Sequence, residues 1–190
     1  MKRSSKVISV FGSSRPRPGD AEYAEAQSFG AELAHKGFVV CSGGYGGVME
    51  AASRGAKEAG GKTLGVTAEF FQSHANAWID EEVRVKTWQD RLFELIKRGH
   101  GYAACRGGTG TLVELAVVWE MLNKSVMKRR PMVVLGDFWK PVIERVREAE
   151  LGHASRWAER EAPLVHTAAT AADAAAYLAE WFEAPNSHSR

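Results

Sequence analysis

Cysteine is scarce in this chain. Cys41 and Cys105 are the only two among 190 residues, too few and too far apart for a disulfide framework or a cysteine-based zinc site. Each ends a short apolar run, so both are expected to be buried, reduced thiols in a reducing compartment. A charge excess is also missing. Lysine and arginine total 25 against 23 acidic residues, a net charge of +2, which excludes chain-wide attraction to nucleic acid or an anionic membrane. No hydrophobic run approaches the ~18 residues of a membrane span. Met1–Ser5 is basic, but the apolar run after it, Val7–Phe11, is too short for a signal-peptide core. A soluble, cytoplasmic protein is therefore expected. The histidines, at 35, 74, 100, 153, 166 and 188, show no metal-ligand spacing. No metal and no cofactor is expected, and there is no Gly-x-Ser-x-Gly nucleophile elbow.

What the chain has is alternation. Lys6–Phe11, Phe38–Cys41, Thr63–Thr67, Gly101–Cys105 and Met132–Leu135 read as short buried strands. Ala21–Lys36, Gly47–Ala59, Arg91–Arg98 and Thr111–Leu122 read as amphipathic helices between them. Parallel strands need such crossovers, so the pattern predicts an α/β fold: a Rossmann-like three-layer sandwich, mostly parallel, with helices on both faces. One domain is expected over residues 1–184, with 185–190 a disordered tail. Two regions depart from the alternation. Ala68–Glu82, with Phe70, Phe71, His74 and Trp78, reads as a surface loop or lid. Beyond Trp139 helices dominate, with a short strand expected at Leu164–His166 and a last helix at Ala171–Phe182.

Three loops leave strands as phosphate sites require. The first is Gly12-Ser13-Ser14-Arg15, the second Gly43-Gly44-Tyr45-Gly46-Gly47, the third Gly107-Gly108-Thr109-Gly110-Thr111. Glycine lets the backbone approach a ligand, and the amides of such a loop point with the next helix N-terminus at one anion. The second and third loops share a pattern: Gly-Gly-x-Gly-x, two apolar residues, then glutamate, at Gly43–Glu50 and Gly107–Glu114. Both are expected to converge on one phosphate. Neither is a Walker A loop, because no Gly-Lys-Ser/Thr follows, and neither has the dinucleotide G-x-G-x-x-G spacing.

Either Glu114 or Glu50 could reach the part of a ligand next to its phosphate, and spacing does not separate them. Arg91, near the start of a helix, reads either as solvated surface or as a ligand contact. Arg15, in the first loop, is a simpler candidate for an anion contact. Trp119, on the helix after the third loop, could be core or part of an interface.

On these motifs the chain resembles the LOG family, cytokinin riboside 5′-monophosphate phosphoribohydrolases long mislabelled lysine decarboxylases, and the related molybdenum-cofactor carrier proteins. The family signature Pro-Gly-Gly-x-Gly-Thr-x-x-Glu is matched by Arg106-Gly107-Gly108-Thr109-Gly110-Thr111-Leu112-Val113-Glu114. Its upstream arginine motif, Met-His-Glu-Arg-Lys, corresponds to Trp88-Gln89-Asp90-Arg91-Leu92. Phe11–Ser14 and Ser42–Met49 match its other two loops. The resemblance implies Arg91 and Glu114 as the catalytic pair. It also implies a nucleotide-binding set comprising Gly12, Ser13, Ser14, Gly43, Gly44, Gly46, Gly47 and Arg106–Thr111, within which Gly107–Thr111 is the phosphate cradle. It implies a nucleoside monophosphate or related phosphorylated small molecule as partner, and a homo-oligomer, dimer or tetramer. Two departures stand out: Arg106 replaces the family proline, and of the Met-His-Glu triplet only an acid, Asp90, is kept. A non-catalytic nucleotide or pterin carrier is the alternative that the same loops would serve.

Overall fold

The computed structural model describes residues 5–151 and 163–184. The tail expected at 185–190 lies outside them. In chain order the elements are β1 (Val7–Phe11), α1 (Ala21–His35), β2 (Val39–Ser42), α2 (Val48–Glu58), β3 (Lys62–Ala68), β4 (Glu81–Val85), α3 (Trp88–Arg98), β5 (Gly101–Ala104), α4 (Thr109–Asn123), β6 (Met132–Leu135), α5 (Lys140–Leu151), β7 (His166–Ala168) and α6 (Ala171–Glu183). They form one seven-stranded sheet of order β4-β3-β2-β1-β5-β6-β7, and every strand pair is parallel. The fold is the expected Rossmann-like three-layer α/β sandwich.

Period-two alternation along the strands builds the two apolar layers. Ile8, Val10, Ala103, Cys105, Val133 and Leu135 pack with α1, α2 and α6. Phe11, Tyr102, Ala104, Met132 and Val134 face the other way, onto α3, α4 and α5. Both cysteines are buried and unpaired, and burial pushes each thiol up to about 12, so neither is a ready nucleophile. Trp119 is core, 7% exposed. Helices α1 and α2 pack backbone to backbone: a side chain at Gly30 would collide with the Ala52 carbonyl, and one at Gly55 with that of Gln27.

Helix starts follow local chemistry. Thr87 accepts from the Asp90 amide and Asp90 caps back onto Thr87, a full capping box, so α3 begins at Trp88 rather than Arg91. Thr170 caps α6 through the Asp173 amide.

The segment read as a surface loop, Ala68–Glu82, is shorter than expected. Glu69–Phe71 is a single 3₁₀ turn, and Glu81 already begins β4, an edge strand. Its Glu81-Glu82-Val83-Arg84-Val85 sequence carries charge because one edge and much of its surface face water. Strand β7 falls two residues later than expected, at His166–Ala168.

Candidate active site

Strand order decides where a ligand can sit. The chain runs outward from β1 through β2 and β3 to β4, then returns to place β5 against the other side of β1. Loops leaving β1 and β5 therefore diverge in direction, and a crevice opens at the carboxyl ends of these two strands. The cleft found there has a volume of about 1330 Å³ and is lined by the first and third loops, Gly12–Pro16 and Arg106–Thr111. The two loops are tied by the Ser13 amide, which donates to the Arg106 carbonyl at 3.2 Å.

The third loop offers donors. The first backbone bond of α4 runs from the Leu112 amide to the Gly108 carbonyl, 2.9 Å, so the amides of Thr109, Gly110 and Thr111 precede the intrahelical ladder. All three residues line the cleft. Space beside Gly108 and Gly110 is open, whereas Gly107 lies against the Thr111 side chain, with no room for a Cβ.

The second loop, despite the same pattern, is placed differently. Gly43, Gly44, Gly46 and Gly47 do not line the cleft; Tyr45 and Met49 do. The first and third loops line the cleft along their length, because β1 and β5 are neighbours, while the second loop, leaving β2 on the far side of β1, contributes Tyr45 to it. Gly43 and Gly47 make room for protein. A side chain on Gly43 would overlap the Arg91 guanidinium, and one on Gly47 would strike the Ser13–Ser14 backbone. Gly47 also adopts φ 69°, which side-chain-bearing residues rarely do. The first free amide of α2, at Val48, is spent on the Ser13 carbonyl at 2.8 Å. Glu50 accepts from the Tyr23 hydroxyl at 3.2 Å and lies outside the cleft lining, whereas Glu114 is in it. Geometry, not spacing, separates the two glutamates.

Arg91 is buried, 7% exposed, so the solvated-surface reading fails. Its Nε donates to the Val66 carbonyl at 2.9 Å and its Nη2 contacts Met49 Sδ at 3.4 Å. The guanidinium lies 5.3 Å from the Tyr45 ring centre and 5.7 Å from that of Phe71, within cation–π range. Its Nη1 is 3.9 Å from Glu114 Oε1, an ion pair too long for a direct hydrogen bond. Burial lowers the Arg91 pKa and Glu114 opposes that; an arginine remains charged throughout. Burial pushes the Glu114 carboxyl up to about 7 against the pull of Arg91. Near neutral pH this group can therefore hold or release a proton.

Several lining residues were not singled out by sequence reasoning: Glu22, Tyr45, Met49, Trp88 and Phe138. Tyr45 fills the variable position of the second glycine pattern, a signal that was available. Phe71, in the segment read as a lid, also lines the cleft and stacks edge-on against Tyr45 with ring centres 5.5 Å apart. Arg106, the replacement for the family proline, is exposed, with its Nε 3.2 Å from Glu22 Oε1 and its guanidinium 5.0 Å from the Phe138 ring centre. No cluster of metal ligands occurs among the described residues, and no described helix is long and apolar enough to cross a membrane.

Comparison with known proteins agrees with this architecture. The family model of the SLOG cluster4 family matches residues 5–160. An uncharacterized protein of Archaeoglobus fulgidus is 28% identical over 114 residues, 60% of this chain and 75% of that protein. A cytokinin riboside 5′-monophosphate phosphoribohydrolase of Mycobacterium marinum is 32% identical over 114 residues, 56% of this chain and 61% of the relative. Among solved structures, the molybdenum cofactor carrier protein of Chlamydomonas reinhardtii superposes with a TM-score of 0.72 at 23% identity, covering 95% of this chain and 100% of that one. That likeness establishes the shared fold.

Proposed function

The chain belongs to the SLOG cluster4 family, and from that premise we propose that it is a nucleoside 5′-monophosphate phosphoribohydrolase. The reaction adds water to C1′ of the ribose as the C1′–N bond breaks, yielding a free base and ribose 5-phosphate. One observation carries the reading: Arg91 and Glu114 meet 3.9 Å apart in the cleft that the first and third loops line.

Each residue has a role that its position permits. The amides of Thr109, Gly110 and Thr111, at the N-terminus of α4, take the phosphate, aided by Gly12–Ser14. Glu114, further along the same helix, lies next to the phosphate and thus at the ribose. Breaking the glycosidic bond builds positive charge on the sugar, which the ionised carboxylate stabilises. It also accepts a proton from the attacking water and returns it to solvent, while the departing base takes up one proton from solvent. Arg91, held by Val66 and the rings of Tyr45 and Phe71, keeps the carboxylate in place and faces the departing base. Hydrolysis requires the ionised form of Glu114, so kcat/KM should rise with pH through about 7.

The test is incubation with AMP and with an N6-substituted AMP, followed by detection of free base. Release of base from either supports the reading; a folded protein that turns over neither removes the enzyme claim. A second reading, a non-catalytic carrier of a nucleotide or a molybdenum-cofactor pterin, draws on cleft size. At about 1330 Å³ the cleft exceeds the ~300–1,000 Å³ usual for small-molecule sites. Tight binding without product formation would select it. A cytoplasmic homo-oligomer, dimer or tetramer, completes the proposal. Phe93, Leu112 and Val142 leave apolar surface on the α3–α5 layer, and light scattering would report the state.

A further inference from the structure

The charged residues lining the cleft balance: Arg15, Arg91 and Arg106 against Asp20, Glu22 and Glu114. An anion entering such a cleft is drawn by the α4 amides and by Arg15, and gains a further charged contact when a second cation leaves its carboxylate. Arg91 is not free to do so, because Val66, Met49 and two aromatic rings fix it. Arg106 is. Its backbone is anchored by the Ser13 amide, but its side chain is 57% exposed and held by Glu22, itself 37% exposed, at 3.2 Å. Glu22 stands in the first turn of α1, and the Phe138 ring centre lies 5.0 Å from the guanidinium. An exposed pair of this kind is weak and readily exchanged, whereas a guanidinium-to-phosphate contact is strong and bidentate.

We propose that Arg106 and Glu22 form a charge-exchange latch at the mouth of the cleft. Arg106 transfers from Glu22 to the ligand's phosphate on binding, and Glu22 thereby selects a terminal, dianionic phosphomonoester over a monoanionic phosphate diester. This rests on the nucleotide-binding reading and deepens it. A monoanion carries no more charge than the carboxylate it must displace; a dianion does. Glu22 is then a specificity determinant, acting by competition and without touching the substrate.

The experiment is calorimetric titration of the full chain with ribose 5-phosphate and with its methyl phosphodiester at pH 7.5, circular dichroism confirming folding. Arg106→Ala should lower affinity for ribose 5-phosphate by about tenfold to a hundredfold, and Arg106→Lys should restore much of it. Glu22→Gln should raise affinity for ribose 5-phosphate several-fold and for the diester more, narrowing the ratio between the two. The latch is overturned if Arg106→Ala binds like the wild type, or if Glu22→Gln weakens binding as Arg106→Ala does, the mark of a purely structural pair. Wild-type protein that binds neither compound, nor AMP, defeats the nucleotide-binding reading itself along with the latch.

Discussion

The loops Gly43–Glu50 and Gly107–Glu114 spell the same pattern and do different work. In the third loop Gly108 and Gly110 leave open space, and the residues Thr109–Thr111 line the cleft. In the second, two glycines make room for protein: Gly43 for the Arg91 guanidinium, Gly47 for the first loop. The difference comes from strand order. The third loop leaves β5 at the switch point, while the second leaves β2, one strand away. One glycine run opens onto the cleft; its twin packs against the arginine and the first loop that line it. A repeated motif in a sheet protein thus describes backbone geometry, and its neighbours decide its use.

The sharpest way to break this comparison is to truncate the paired glutamates. Glu114→Ala should cut base release by roughly 10²–10³-fold or more while sparing ribose 5-phosphate binding. Glu50→Ala, which loses only a contact with Tyr23, should stay within a few-fold of wild type. Steady-state assays with AMP compare them directly, and equal losses would dissolve the distinction.

Next in size is the pH dependence of stability. The folded state raises the Glu114 carboxyl from its ordinary 4.5 to about 7, so it holds the proton more tightly than the unfolded chain. The stabilisation this gives is fully present below pH 4.5 and is lost as pH rises through about 7. Comparing wild type with Glu114→Gln isolates it. The variant should gain on the wild type by up to about 3 kcal/mol between pH 4.5 and 8.5, as read by denaturant unfolding. The Glu50→Gln variant should show no comparable trend.

The glycines sharpen the contrast further. Gly43→Ala should cost about 1–3 kcal/mol of stability by displacing Arg91, and Gly47→Ala a similar amount through its positive φ and the collision with Ser13–Ser14. Gly108→Ala meets open space and should leave stability within about 0.5 kcal/mol while weakening phosphate binding. Smallest is Gly110→Ala, in the first turn of α4, expected to change stability by less than about 1 kcal/mol, and upward if at all, through helix propensity. Thermal melts and phosphate titrations on the same variants check both readouts.

Much of the fold was legible because a parallel sheet covered on both faces writes short apolar runs between amphipathic helices. The strands at Val7–Phe11 and Met132–Leu135 carry that signature plainly. β4 was hidden because an edge strand needs few apolar residues, and Glu81–Val85 has charge where a buried strand has valine. In the site, the first and third loops and the pairing of Arg91 with Glu114 could be anticipated from the motifs. The packing role of Gly43 could not, since it depends on the Arg91 guanidinium arriving from α3, far along the chain. Nor could the ion pair between Glu22 and Arg106, which exists only because β1 and β5 lie side by side.

The division of labour between the two glycine loops is tested most directly by amide chemical shifts in a ¹⁵N-labelled sample titrated with ribose 5-phosphate. The largest movements should fall on Thr109, Gly110 and Thr111, with smaller ones on Gly12–Ser14. If the largest instead fall on Gly43, Gly44 and Gly46 while Thr109–Thr111 stay still, the cradle has been assigned to the wrong loop.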